Sequence, residues 1–159
     1  MTTILMYGTE NGTQTVNTLF SAIRAAHYSA FHLCEESVSI IPPKAKAPDY
    51  FVIDNKTIKN VHTGGGIALF RKHVPQRQHI EITPAFFAVI DSDNSEAADM
   101  LRGDGIQTVT CGLSQKDTVT FSSLGSDRAV VSLQRGLCAL DGSKVGPVEV
   151  PVAFSPSHG

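Results

Sequence analysis

Apolar residues fall in short runs that are separated by turn residues along most of this chain. The run at residues 3–7 ends at Gly8 and predicts a strand that is buried on both faces of a parallel sheet. An amphipathic helix is predicted next, because apolar residues recur at helical spacing at Val16, Leu19, Phe20 and Ile23. A strand, a glycine turn and a helix in this order are typical of α/β folds.

The same pattern continues through the middle of the chain. The predicted elements are, in order, strands at 37–41 and 49–54, a returning hairpin strand at 55–61 that turns through Asp54 and Asn55, a short helix at 67–74, a strand at 85–91, a helix at 95–103 and a strand at 106–111. Three consecutive glycines at 64–66 could let the backbone approach a ligand phosphate, but without a nearby lysine a flexible loop before the helix at 67–74 is favoured. Asp93 or Ser95 is expected to cap the helix at 95–103, and Gly103 to end it.

From about residue 117 the apolar residues no longer follow helical spacing. They alternate with polar residues or are β-branched, which is typical of strands. The segments "TVTFSSL", "RAVVSLQR" and "GPVEVPVAF" are separated by turn residues and predict an antiparallel extension. We therefore expect a single α/β domain over residues 1–159, a Rossmann-like three-layer fold. Its sheet is predicted to be mainly parallel, with an antiparallel C-terminal β extension.

Composition narrows the class of protein. The chain has 159 residues, 42% of them apolar, which is enough for a core that needs no disulfide or metal. A formal charge of −2 with scattered cations argues against a nucleic-acid surface. The N-terminus resembles no signal peptide, and no apolar run is long enough to span a membrane, so a cytoplasmic protein is expected. The three cysteines are far apart and predict neither a disulfide framework nor a zinc site.

The stretch "YGTENGTQT" at residues 7–15 has the layout of a phosphate-binding loop, with a strand before it and a helix after it. It lacks the lysine that such a loop usually carries. Backbone amides at a helix N-terminus still attract anions, so residual phosphate or nucleotide binding is one interpretation. The residues that would carry it are Thr9, Asn11, Gly12, Thr13 and Thr15. The other interpretation is a structural turn that caps the first helix.

Several segments in order resemble the central, ATP-binding domain of the Mur ligase family, which joins amino acids to peptidoglycan precursors. "GTENGTQT" (8–15) resembles the loop GT-N-G-K-T-T, "GIALFRKH" (66–73) the helix A-K-x-x-L-F, and "FAVIDSDN" (87–94) the strand that ends in N-x-D-D. The run at 106–124 and the C-terminal "VPVAFSPSHG" are similar to the passages that follow in that family. The resemblance covers about half of the chain and implies an α/β nucleotide-binding fold.

The departures from the family pattern affect the chemistry. Thr13 stands at the position of the loop lysine, Gln14 at that of the first threonine and Gly66 at that of a modified lysine, whereas Asp93 matches a family aspartate. The connection at 28–62 is much shorter than in the full enzymes. A neutral hydroxyl cannot neutralise the charge of a transferred phosphoryl group. These departures predict a degenerate, non-catalytic module without catalytic residues, with no cofactor beyond a residual nucleotide or anion.

Two further functions compete with this interpretation. The loop also resembles the FMN-phosphate loop of flavodoxin-like redox proteins, which needs no lysine, although no tryptophan is present and the tyrosines do not fit the later aromatic loops. A hydrolase or metalloenzyme would use Asp91 and Asp93 at a strand end, but no histidine pair has the spacing of ligands on one helix face. Capping for Asp93 and solvation for Asp91 are the simpler roles.

The antiparallel tail predicts an interaction surface. A free sheet edge or an uncovered apolar face is a liability unless it is paired. We therefore expect an unknown protein partner or a homodimer, and neither a nucleic acid nor a membrane.

Overall fold

A computed structural model describes residues 1–10, 13–35, 37–41, 47–75 and 80–153. The two helices are α1 (Gln14–Ala25) and α2 (Ser95–Met100). The strands of the main sheet are β1 (Thr2–Tyr7), β2 (Ala30–Cys34), β3 (Val38–Ile41), β4 (Tyr50–Asn55), β6 (Gly66–Phe70), β8 (Phe86–Asp91), β9 (Gln107–Cys111), β10 (Val119–Leu124), β11 (Arg128–Leu133) and β14 (Val148–Ala153). The described residues also contain four two-residue strands: β5 (Asn60–Val61), β7 (Glu81–Ile82), β12 (Leu137–Cys138) and β13 (Lys144–Val145).

The ten long strands form one sheet in the order β3-β2-β4-β1-β6-β8-β9-β10-β11-β14. All neighbours from β2 to β10 are parallel, whereas β3, β11 and β14 each pair with their neighbours in antiparallel fashion. The predicted α/β fold, with a mainly parallel sheet and an antiparallel C-terminal extension, is confirmed. The two short pairs, β5 with β7 and β12 with β13, form separate ribbons.

The core consists of two apolar clusters on opposite faces of the sheet. Alternate residues of β1 enter different clusters, because successive side chains of a strand point to opposite faces. One cluster joins the sheet to the apolar stripe of α1 and includes Ile4, Met6, Ile23, Ala30 and Val52. The other joins it to α2 and the β5–β7 ribbon and includes Leu5, Tyr7, Val61, Phe86, Ala97 and Leu101. The sheet is therefore the middle one of three layers.

Three local predictions are wrong. Residues 66–70 form strand β6 instead of a helix, because the central position between β1 and β8 supplies ladder partners on both sides. Residues 55–61 do not return as a hairpin, since Asn55 still belongs to β4 and β5 pairs with β7 instead. Strand β2 was not predicted, and it lies between β3 and β4. Residues 66–73 therefore do not form the helix that the family resemblance implied.

The other elements follow the predictions with small shifts. Strands β1, β3, β4, β8, β9, β10, β11 and β14 and helix α1 lie where they were expected. Helix α2 is shorter than predicted, and its N-cap is Asn94 instead of Asp93 or Ser95. Among the helices of the described residues, none is long and apolar enough to cross a membrane.

Candidate functional site

The carboxyl ends of β1, β4 and β6 lie side by side, because these three strands are parallel neighbours with β1 in the middle. After β1 the chain passes through α1 to β2, which lies on the same side of β1 as β4. The later strands β6, β8 and β9 lie on the opposite side of β1. In open α/β sheets, ligands bind outside the carboxyl ends at such a change of direction. The candidate site is therefore the edge at Gly8, Asp54 and Arg71.

Arg71 and Asp54 form a largely buried ion pair at this edge. The guanidinium donates to both carboxylate oxygens at 2.7 and 2.8 Å, and it also donates to the carbonyl oxygen of Gly8 at 3.3 Å. The side chains are only 10% and 16% exposed. Two parallel hydrogen bonds between a planar guanidinium and a carboxylate are strong and directional. The sequence predicted no cation at the loop, but the structure places the guanidinium of Arg71, which directly follows β6, beside it.

His32 lies beside the same carboxylate. Its Nε2 is 3.9 Å from an Asp54 oxygen, which is too long for a hydrogen bond, and no described residue gives this buried atom a partner. Burial lowers the pKa of His32, and the charge of Arg71 lowers it further, against the opposing effect of Asp54. The imidazole packs on Phe20 of α1, with ring centroids 4.8 Å apart. This environment favours the neutral form of His32.

The N-terminus of α1 already holds an anionic group. The carboxylate of Glu10 accepts a hydrogen bond from the Thr15 backbone amide at 3.0 Å and another from the Thr15 hydroxyl. Thr13 precedes the helix, is exposed, and accepts a hydrogen bond from the side-chain amide of Asn17 at 3.1 Å. Of the other predicted loop residues, Asn11 and Gly12 lie outside the described residues.

Thr9 connects the loop to the neighbouring part of the edge. Its amide donates to the carbonyl of His73 at 2.7 Å, and the His73 amide donates back at 3.0 Å. Gly8, which has a φ of +92°, lies so close to this segment that a Cβ would be 2.5 Å from the His73 carbonyl oxygen. A glycine is needed here both for the backbone conformation and for the close approach. Thr9 and Gly8 line a cavity of about 220 Å³ together with Cys34, Glu35, Asp54, Lys56 and Arg71.

Asp93 belongs to a second cavity of about 330 Å³, which Lys72 and His73 also line. Its backbone amide donates to the Asp91 carboxylate at 2.9 Å, which forms a turn at the end of β8. Asn94 caps α2 by accepting from Ala97 at 3.0 Å and donates to the Arg71 carbonyl at 2.9 Å. Among the described residues, no group of three or more metal-binding side chains comes together. Asn94 thus links this cavity to the strand end that carries Arg71.

Four residues of the edge were missed at the sequence level: Glu10, Asp54, Arg71 and Asn94. A signal was present for two of them, because Asp54 and Arg71 each follow a run of apolar residues at the end of a strand. Charged residues in that position of parallel strands meet at one edge of the sheet. The error in the secondary structure of residues 67–74 concealed this signal for Arg71.

Solved structures of ligases match this chain in fold. A murein peptide ligase from Psychrobacter arcticus 273-4 matches with a TM-score of 0.59 and 12% identity, over 96% of this chain and 39% of the ligase chain. A UDP-N-acetylmuramoyl-L-alanyl-D-glutamate–2,6-diaminopimelate ligase matches with a TM-score of 0.54 and 13% identity, over 94% of this chain and 39% of that chain. The chain thus spans about two-fifths of these ligases, and its fold is Mur-ligase-like.

These matches correct two expectations. The prediction that the chain is not an enzyme is contradicted, because both matched structures are ligases and the fold is one that enzymes use. The flavodoxin-like alternative gains no support. The seven parallel strands, numbered in chain order, lie as 2-3-1-4-5-6-7, whereas a flavodoxin-like sheet places its second and third strands on either side of the first. No protein-family model and no curated protein sequence matches this chain.

Proposed function

We propose that this Mur-ligase-like domain binds a phosphate-bearing ligand of the nucleotide class at the carboxyl edge of its sheet. The phosphate oxygens bind at the N-terminus of α1, on the amide and hydroxyl of Thr15. The rest of the ligand extends along the edge past Gly8 and Thr9 toward Asp93. Asn11, Gly12 and Thr13, which the sequence predicted as phosphate-binding residues, are proposed to contribute to the same site.

The observation that carries this proposal is the contact between Glu10 and Thr15. A carboxylate oxygen of Glu10 lies 3.0 Å from the Thr15 amide nitrogen, and the other oxygen meets the Thr15 hydroxyl. The free amides of a helix N-terminus and its dipole favour a negative charge at this place. The carboxylate of Glu10 stands in for the phosphate oxygens, so the two compete for the same donors.

Neighbouring features support the same ligand class. The edge lies where the strand connections change direction, which is where α/β sheets bind nucleotides. The cavity of about 220 Å³ beside the loop is lined by Lys56 and Arg71, both cationic, although Asp54 and Glu35 offset their charge. A balanced set of charges favours a ligand that brings its own counter-ion, such as a nucleotide with Mg²⁺.

Isothermal titration of the whole chain with ATP and ADP, each with and without Mg²⁺, tests this proposal. We expect saturable binding of both nucleotides, and no binding of adenosine, which has no phosphate. The Glu10→Gln variant removes the competing charge and keeps a hydrogen-bonding side chain, so we expect it to bind ADP several-fold more tightly than the wild type.

Glu149→Gln provides the matched control. It makes the same change in net charge on β14, at the outer end of the sheet, and should bind ADP as the wild type does. A flat thermogram at millimolar nucleotide for both the wild type and Glu10→Gln would overturn the proposal. If Glu10→Gln and Glu149→Gln increased the affinity for ADP equally, the effect would come from net charge alone. The proposed competition of Glu10 at Thr15 would then be wrong.

A further inference from the structure

Strands β10, β11 and β14 carry polar side chains on their buried side and apolar side chains on their exposed side. Thr120 and Ser132, which pair across β10 and β11, are each only 4% exposed. The apolar residues lie on the other side, because successive side chains of a strand alternate. The most exposed of them are 40 to 63% exposed, namely Phe121, Leu124, Val148, Val150 and Val152. A contiguous exposed apolar surface is typical of an interaction site.

The strand register shows that this apolar side is the side of α1. Val119 of β10 pairs with Cys111 of β9. From there the same side runs through one residue of each neighbouring strand, in the order Val109, Val89, Leu69 and Met6. Met6 belongs to the apolar cluster under α1, whereas no residue of β6, β8 or β9 does. The other helix and the β5–β7 ribbon pack on the opposite side of the sheet.

Within the described part of the chain, α1 therefore covers only β1, β2 and β4. The α1 side of β6, β8, β9, β10, β11 and β14 forms an open face that no described helix covers. Its parallel half is apolar as well, with the half-buried side chains of Ile67, Leu69, Phe87 and Val89. Parallel strands are normally covered on both sides, so this half also indicates a partner.

Charge narrows the choice of partner. The six strands of the open face contain three charged residues. Arg128 and Glu149 lie on the opposite side of the sheet, and Asp91 lies at the carboxyl end of β8. In a two-fold dimer a surface meets its own copy, so a charge near the axis would meet a like charge. An uncharged apolar face avoids that repulsion, as the interfaces of homodimers do.

The area of the open face is sufficient for a dimer. Six strands about 4.8 Å apart, with five or six residues that each rise about 3.3 Å, present roughly 500 Å² in projection. Two copies together would bury roughly 1,000 Å², which reaches the lower limit for a specific interface. The three antiparallel strands alone would supply about half of that area. Both halves of the open face are therefore needed.

We infer that two copies of this chain form a two-fold dimer by packing their open faces against each other. Helix α1 projects from the same side of the sheet by about one helix diameter, roughly 10 Å, which is also the spacing of two packed sheets. The sheet of the partner therefore cannot extend over α1. The open faces overlap only when the strand order is reversed, so that β6 of each copy lies over β14 of its partner.

Sedimentation equilibrium of the whole chain at about 100 μM tests the dimer, and we expect twice the chain mass of 17.0 kDa. Val150→Lys places a charge in the open face and should raise the dissociation constant at least about tenfold. Ala153→Lys is the matched control, because it adds the same charge to an exposed position on the opposite side of β14. This variant should dimerise as the wild type does.

The arrangement is tested by nuclear Overhauser effects between a ¹³C-labelled copy and an unlabelled copy. We expect effects that connect the Leu69 methyl groups with those of the valines of β14. Within one chain β6 and β14 are five strand spacings apart, about 24 Å, so these contacts arise only between copies.

Three results would overturn the inference. A mass of 17.0 kDa at about 100 μM would exclude the dimer. Equal weakening by Val150→Lys and Ala153→Lys would place the interface elsewhere. Effects that connect β14 only with β14 of the partner would show pairing of sheet edges instead of faces. Should Val150→Lys fail to fold by circular dichroism, the mass and the contacts of the wild type still decide.

Discussion

The guanidinium of Arg71 bridges the ends of two strands by donating to both carboxylate oxygens of Asp54, at 2.7 and 2.8 Å. Arg71 directly follows β6, Asp54 lies near the end of β4, and β1 runs between these two strands. The third contact of the guanidinium, to the Gly8 carbonyl, connects the pair to the end of β1. One side chain therefore holds together the three strand ends that form the candidate phosphate site.

We expect Asp54→Asn to destabilise the protein by roughly 3 to 5 kcal/mol, because it leaves the Arg71 guanidinium largely buried without its counter-charge. Urea denaturation at neutral pH measures this change. Asp99→Asn is the matched control, since Asp99 pairs with Arg102 at 2.7 Å on the surface, with side chains 67% and 80% exposed. Its effect should stay below about 1 kcal/mol. Similar losses for both variants would contradict the structural role of the buried pair.

The environment of His32 predicts a loss of stability in mildly acidic solution. Burial lowers its folded-state pKa below the usual value of about 6.5, so the unfolded chain binds a proton more readily than the folded one. The contribution of His32 is therefore fully present above pH 6.5 and is lost as the pH falls toward its lower folded pKa. Denaturation between pH 8 and 5 should show a smaller decline for His32→Gln than for the wild type. Parallel curves would refute this assignment.

Asn94 stabilises two elements at once, because it caps α2 and donates to the Arg71 carbonyl at the end of β6. We expect Asn94→Ala to cost about 1 to 2 kcal/mol, as the loss of a cap usually does. Asn94→Asp keeps the oxygen that caps the helix but turns a carboxylate oxygen toward the carbonyl oxygens of Arg71 and Lys72, so its cost should be at least as large. Thermal unfolding of the three proteins measures both effects. Unchanged stability of both variants would contradict the role of Asn94.

The three glycines at 64–66 should respond differently to alanine. A Cβ at Gly66 would overlap the carbonyl oxygen of Thr3, because β6 packs closely against β1 there. We expect Gly66→Ala to destabilise by about 1 to 3 kcal/mol or more, as overpacking in a core does. Gly64→Ala has open space and should change stability by less than about 0.5 kcal/mol. Denaturant titration measures the stability of both variants. Equal losses of stability would indicate that residues 64–66 form a loose loop instead.

Self-association remains a prediction, and the structure indicates the surface that it would use. The outer edge strand β14 contains Pro151, which has no N–H and limits pairing of that edge with another copy. One face of β10, β11 and β14 instead carries exposed apolar side chains, those of Phe121, Leu124, Val148, Val150 and Val152. If a homodimer forms, Val150→Lys should shift it toward monomer in light scattering, and Lys144→Ala should not.

Strand and helix periodicity determined most of the elements. Gly8 ends β1, the stripe of α1 begins at Val16, and the alternation after residue 117 gives the antiparallel strands, because these signals depend on neighbours in the chain. The same local patterns indicated the α/β class. They failed at residues 66–70, where "GIALF" has apolar residues at both strand and helix spacing. Only the strands on either side of β6 decide between the two.

The composition of the site depended on the tertiary structure. The sequence alone predicted an anion site at the loop of residues 8–15, and the family resemblance aligned Thr13 with the loop lysine. It could not show that Glu10 folds back onto Thr15, or that Arg71 reaches Gly8 from a position 63 residues away in the chain. The order of the strands brings these groups together, and that order follows from packing and connection geometry, which no local pattern encodes.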